Sequence, residues 1–224
     1  MQHRAKKRFG QNFLVDPNII DKIIHSINPQ AEDHIIEIGP GLGALTQPLL
    51  KTLIRLDAIE LDRDVIPQLK TLEGSEKLHI HNIDVLAFDF TEFKQSNFEH
   101  GKLRIIGNLP YNISTAVLFH LVSHRNCIHD LHFMLQKEVV ERIAASAGSN
   151  DYGRLSVMMQ LYFRINPLFT VAPQCFRPVP RVESAIIRMV PRTSPAISHD
   201  EHDAFAAQTG LLPAPQDVKK HTER

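Results

Sequence analysis

The chain has 224 residues, 43% of them hydrophobic and 22% charged, with 25 basic and 25 acidic residues that cancel. Its apolar content suits one sizeable core, and no apolar run approaches the ~20 residues that a membrane helix needs, so one main soluble domain is expected. Two cysteines, Cys127 and Cys175, exclude a disulfide framework and a cysteine-rich zinc site and fit a reducing cytoplasm.

The charge is unevenly placed. Residues 1–15 hold four basic residues (Arg4, Lys6, Lys7, Arg8) and no acid, and residues 137–192 hold eight basic residues against four acids, whereas the segment between them is acidic. Two basic blocks flanking an acidic middle read either as solvated faces or as two arms converging on a polyanion. MQHRAKKRFG lacks the apolar core of a secretory signal and is taken, with the residues through 15, as a basic arm.

A domain is expected over 16–192. Asp16 before Pro17 is an N-cap followed by proline at the first helical position, predicting a helix over 17–27. Strands are then predicted at 34–38 (HIIEI), 56–61 (LDAIEL), 78–83 (LHIHNI), 103–108 (LRIIGN) and 130–135 (DLHFML). Helices are predicted between them at 42–53, 65–72 and 114–122, and after the last at 137–145 and 154–161. Apolar strands alternating with helices call for a mostly parallel sheet covered on both faces, whose ligands sit beyond the C-terminal ends of the strands. YFRINPLFTV and AIIRMVP read as two antiparallel strands around the proline-rich CFRPVPRVES, and the periodicity fades into a tail over 193–224.

Four strand ends carry the chemistry. The first runs into EIGPGLG, where Gly39, Gly41 and Gly43 allow a tight turn and close approach of a ligand at a helix N-terminus. GPGLGA satisfies the loose dinucleotide pattern, but Glu37 would repel a pyrophosphate while suiting a ligand that bears an ammonium and a sulfonium. Glu60, nineteen residues after Gly41, stands where an acid accepts from ribose hydroxyls, and Asp84 suits the exocyclic amine of adenine. Each acid alone reads better as a helix cap or a solvated turn; together beside a glycine loop they favour S-adenosylmethionine over a nicotinamide cofactor.

The fourth strand empties into GNLPYNIS. Acceptors aimed at the hydrogens of an aromatic amine stabilise the charge that develops as a methyl arrives. Asn108 offers its side-chain oxygen, and the Leu109 carbonyl is held extended by Pro110. Tyr111 offers a flat face for an everted base. An ordinary strand-to-helix turn leaves this combination unexplained.

In KRFGQNFL, EIGPGLGALT, AIELD, NIDVL, GNLPYNIS, LQKEVVERI and FRPVPRVES, over roughly residues 6–192, the sequence resembles the small-subunit ribosomal RNA adenine N6,N6-dimethyltransferases. The resemblance implies a Rossmann-like class I methyltransferase fold: an α/β domain with a central, mostly parallel seven-stranded sheet and helices on both faces. It places Gln11, Asn12, Leu14, Gly39, Glu60, Asp84 and Asn108 around S-adenosylmethionine, with Gly41 in the same loop. It also implies that Asn108, Leu109, Pro110 and Tyr111 frame the target adenine and that Phe176 forms a second aromatic wall. The prolines and arginine around Phe176 make it harder to bury.

Arg4, Lys6, Lys7, Arg8, Arg177 and Arg181 are candidates for phosphate contacts. Thirteen histidines without ligand spacing call for no metal. The resemblance further implies a partner, small-subunit rRNA in an assembly intermediate, modified at two neighbouring adenines near its 3′ end by a monomer. It also implies a compact helical subdomain after AIIRMVP, for which HDEHDAFAAQ and the proline-rich tail leave too little chain, so that subdomain is expected to be absent or vestigial. The alternatives are the related large-subunit enzyme of macrolide resistance, or a non-catalytic assembly or transcription factor on the same fold.

Overall fold

The structure, a computed structural model, describes residues 12–194. It opens with a short strand, β1 (Phe13–Leu14), inside the segment expected to be the basic arm. Asp16 then accepts from the backbone N–H groups of Asn18 (2.9 Å) and Ile19 (3.1 Å), starting α1 (Pro17–Ile27) where the Asp-Pro pair predicts. At its other end Arg104 donates to the carbonyls of Ile27 (2.6 Å) and Asn28 (3.5 Å), a cation where the helix dipole favours one.

The chain continues through β2 (His34–Ile38), α2 (Thr46–Thr52), β3 (Leu56–Ile59), α3 (Ile66–Leu69), β4 (Leu78–His81), α4 (Phe90–Asn97) and β5 (Leu103–Asn108). Then come α5 (Ser114–Ser123), β6 (Ile128–Gln136), α6 (Lys137–Ala144), α7 (Arg154–Tyr162), β7 (Phe163–Val171), β8 (Phe176–Arg177) and β9 (Ser184–Pro191). Seven strands form one sheet in the order β4-β3-β2-β5-β6-β9-β7. The first five are parallel, β9 runs antiparallel to both β6 and β7, and β1 pairs with β8 in a separate two-stranded ribbon.

Alternation along the strands supplies both faces of the sheet. Ile35, Ile106, Met134 and Ile186 enter one apolar cluster with Ile23 and Ile27 of α1 and Leu49 and Leu50 of α2. Ile36, Ile105, Phe133 and Ile187 enter the other, with side chains of α4, α5, α6 and α7. Each buried Ile, Leu or Phe contributes about 1.5–3 kcal/mol, which is why the sheet holds its register. Strand order reverses between β2 and β5: the chain steps outward to β3 and β4, then returns to β5. A crevice is expected above that switch point.

Candidate functional site at the sheet's C-terminal rim

A cavity of about 350 Å³ lies above the switch point, lined by residues that follow β2, β3, β4 and β5 and by Asn12, Phe13 and Leu14. Its size falls within the ordinary range for small-ligand sites. Glu37, Gly39, Gly41, Glu60, Asp84, Asn108, Leu109, Pro110 and Tyr111 all line it, so the four predicted strand ends meet at one rim. Asn12 and Leu14 join them. Gln11, Arg4, Lys6, Lys7 and Arg8 lie outside the described residues.

The turn after β2 explains its glycines. Gly39 has φ +66° and Gly41 φ +55°, left-handed conformations in which a side chain is strained. Gly41 N–H donates to Glu60 Oε2 (3.3 Å), while Asp62 N–H donates to Glu60 Oε1 (2.7 Å). Both carboxylate oxygens are thereby oriented, and each keeps further acceptor capacity for a ligand hydroxyl. Burial raises the Glu60 pKa above the usual carboxylate range, against the lowering effect of those N–H groups.

Glu37 is 2% exposed and accepts from Thr46 Oγ1 at 2.7 Å. Burial pushes its pKa up to about 7; the Thr46 hydroxyl resists, and the nearby Glu60 adds to the rise. A cation placed against it would restore its charge. Asp84 is exposed and accepts from Leu86 N–H through Oδ1 (2.9 Å), leaving Oδ2 for a ligand donor.

Asn108 Nδ2 donates to the Asn12 carbonyl (3.1 Å). That bond commits the amide nitrogen and leaves Oδ1 as an acceptor at the cavity wall. Leu109 N–H donates to the Met134 carbonyl (3.2 Å), fixing the Asn108–Leu109 peptide. Tyr111 is half-buried, and its hydroxyl shares a 2.8 Å hydrogen bond with Ser184 Oγ.

Phe176 corrects the sequence reading. Its ring is 1% exposed, sits in the cluster that holds Leu14, Met134 and Val171, and does not line the cavity. The cause is β8: Phe176 pairs with Leu14, and that ribbon turns the ring inward despite the flanking prolines. Arg177 and Arg181 are exposed, and Arg177 Nη1 donates to the carbonyls of Gln174 (3.0 Å) and Phe176 (2.8 Å).

The sequence reading did not single out Leu61 or Ile83, 51% and 37% exposed, which give the cavity apolar surface beside Glu60 and Asp84. Their signal was adjacency, since each is the immediate neighbour of a predicted acid. Phe13 and Thr46 were likewise missed. Among the described residues, no group of three or more His, Cys, Asp or Glu is arranged to hold a metal ion, and no helix is long and apolar enough to cross a membrane.

The doubly wound sheet, with antiparallel β9 inserted between β6 and β7, is that of the class I methyltransferases. The fold matches a dimethyladenosine transferase from Plasmodium falciparum (TM-score 0.72, 25% identity, 91% of this chain and 84% of that one). It likewise matches the 23S rRNA methyltransferase ErmE (TM-score 0.73, 24% identity, 89% and 78%). The chain belongs to the ribosomal RNA adenine dimethylase family, whose model matches residues 2–209. Among curated proteins, the ribosomal RNA small subunit methyltransferase A of Nitrosospira multiformis is 49% identical over 206 residues, 92% of this chain and 77% of the relative. That of Neisseria gonorrhoeae is 52% identical over 205 residues, 92% and 77%.

Proposed function

We propose that this chain transfers methyl groups from S-adenosylmethionine to the N6 amines of two adjacent adenines near the 3′ end of small-subunit ribosomal RNA. The observation that carries the reading is Asn108: its Nδ2 is bound to Asn12, so Oδ1 stands as an acceptor in the same cavity as Glu37, Glu60 and Asp84. Relatives at about half identity are named for the small subunit, which favours it over the large.

The residues fit the cofactor. Glu60 suits the ribose hydroxyls, Asp84 the adenine amine, Leu61 and Ile83 the faces of that ring, and Glu37 the cationic amino-acid end. When bound, S-adenosylmethionine supplies a methyl group on a positively charged sulfur. Asn108 Oδ1 and the Leu109 carbonyl accept from the N6 hydrogens of the target, holding the amine so that its lone pair leaves conjugation as charge develops. Tyr111 stacks on the base and fixes its plane. Positioning and charge stabilisation suffice for this reaction, so no metal is needed. Arg177 and Arg181, with Arg4, Lys6, Lys7 and Arg8, contact phosphates, and Gln11 joins Asn12 at the cofactor. The enzyme acts as a monomer in the cytoplasm on an assembly intermediate of the small subunit.

Radiolabelled methyl transfer onto unmethylated small and large subunits, followed by nucleoside analysis, tests the reading. Label is expected as N6,N6-dimethyladenine in the small subunit alone. Asn108→Ala should lower transfer by about 10²–10³-fold with the fold retained. Label in the large subunit would reassign the substrate, and an active Asn108→Ala would remove the role given to the amide.

A further inference from the structure

Ser184 opens β9 and is 0% exposed, yet neither its position nor its chemistry is accounted for by the cofactor or by the core. Its backbone is held from both sides, paired with Gln136 of β6 and with Val171 of β7. Next to it, Glu183 accepts through its carbonyl from Lys137 N–H (3.0 Å), and its carboxylate meets Lys137 Nζ (2.8 Å).

From that anchor the Ser184 hydroxyl reaches Tyr111 at 2.8 Å. The Tyr111 backbone belongs to the turn that starts α5, where its carbonyl accepts from Ser114 Oγ (3.2 Å). The phenol bond adds a second anchor and fixes where the ring sits, because a ring held at Cβ and again at its para oxygen loses its freedom to swing about the Cα–Cβ bond.

We propose that Ser184 is a positioning residue for the target base, tethering Tyr111 so that its face stands ready for the adenine. The inference rests on the reading that Tyr111 stacks on that base. Ser184 itself touches neither base nor cofactor. The bond links the β6–α6 corner and the arginine-bearing segment 177–183 to the wall of the cavity, so an RNA strand held by Arg177 and Arg181 meets a ring already held in place.

The test is a set of four variants, Ser184→Ala, Tyr111→Phe, their combination and Tyr111→Ala, assayed for kcat and KM on unmethylated small subunits and for S-adenosylmethionine binding by titration calorimetry. Ser184→Ala and Tyr111→Phe should each lower kcat by about 10–100-fold, since small misplacements of a reacting group carry penalties of that order. The cofactor Kd should stay within about twofold, and the double variant should be no slower than the slower single one, the mark of one shared interaction. The fraction of product stopped at one methyl should also rise. If Tyr111→Ala keeps full activity, the stacking reading itself fails. If Tyr111→Ala is inactive but Ser184→Ala and Tyr111→Phe both stay within about twofold of the native enzyme, stacking survives and the tether is overturned. Additive losses in the double variant overturn it too. Should Ser184→Ala fail to fold, Tyr111→Phe breaks the same bond from the half-buried side and decides alone.

Discussion

At Glu37 the cavity stores an unfavourable charge. A carboxyl 2% exposed with one hydroxyl donor is pushed up to about 7 from 4.5, so near neutral pH it is partly protonated until a cation arrives. Among the described residues, the Thr46 hydroxyl supplies the hydrogen bond that favours its ionised form. Thr46→Val removes that donor at nearly constant volume and should raise the Glu37 pKa further, weakening S-adenosylmethionine binding at pH 7 by about tenfold and less at pH 9. Titration calorimetry at the two pH values checks this; equal losses at both would mean that Thr46 acts by packing alone. Because binding a cation favours the ionised carboxylate, cofactor binding to the native enzyme should release protons below pH 7.

At the level of elements, the rim depends on how closely β2 and β5 approach. A Cβ at Gly107 would lie 2.4 Å from the Ile38 carbonyl oxygen, and that atom belongs to the neighbouring strand's backbone, which has nowhere to move. Gly107→Ala should therefore destabilise by about 1–3 kcal/mol or more and splay Gly39 from Asn108, lowering cofactor affinity more than a loop substitution of equal thermal cost. Thermal melts with and without S-adenosylmethionine separate the two effects; an unchanged ligand-induced shift in Tm would count against the splaying. The glycine before Asn108 was visible in the sequence, but its reason was not, since the clash is with a residue 69 positions away.

The same division runs through the fold. Strand β2, strand β5 and helix α1 were legible to the residue because apolar runs and the Asp16-Pro17 cap are local signals. Helix α2 begins at Thr46 rather than 42 because Gly43, at φ +90°, keeps the chain turning. Helix α4 escaped notice although Asp89 caps it through Thr91 and Glu92 N–H (2.9 and 2.8 Å); FTEFKQSN lacks a strong apolar stripe. Phe176 went wrong for a non-local reason, its pairing with a strand 162 positions earlier in the chain. Residues whose environment is set by distant pairing cannot be read from their neighbours.

For the molecule as a whole, the two ends of the sheet carry opposed titrations. Beneath the sheet, Asp130 is fully buried and gathers Arg104 (2.9 Å) and Arg188 (3.1 Å), while Arg104 also reaches Asp33 (2.6 Å) and the end of α1. His132 lies among them, 3% exposed, and among the described residues neither ring nitrogen has a partner within hydrogen-bonding geometry. Burial, aided by the two guanidinium groups and opposed by Asp130, pulls its pKa from 6.5 down to about 4. Between those values the unfolded chain binds a proton that the folded one refuses, so His132 makes stability rise with pH, by about 1.4 kcal/mol per unit. Glu37 does the reverse: between 4.5 and about 7 the folded state keeps a proton that the unfolded state has lost, and stability falls as pH rises. Over the shared window, 4.5 to 6.5, the two slopes cancel. Urea denaturation should accordingly show little pH dependence from this pair in the native protein. In Glu37→Gln the cancellation is lost, and stability should drop by about 3 kcal/mol as pH is lowered through that window; in His132→Phe it should rise by a similar amount. Differences from native remove the groups that titrate alike in all three. Parallel curves for native and Glu37→Gln would show that Glu37 keeps an ordinary pKa and that the cavity holds its charge without cost.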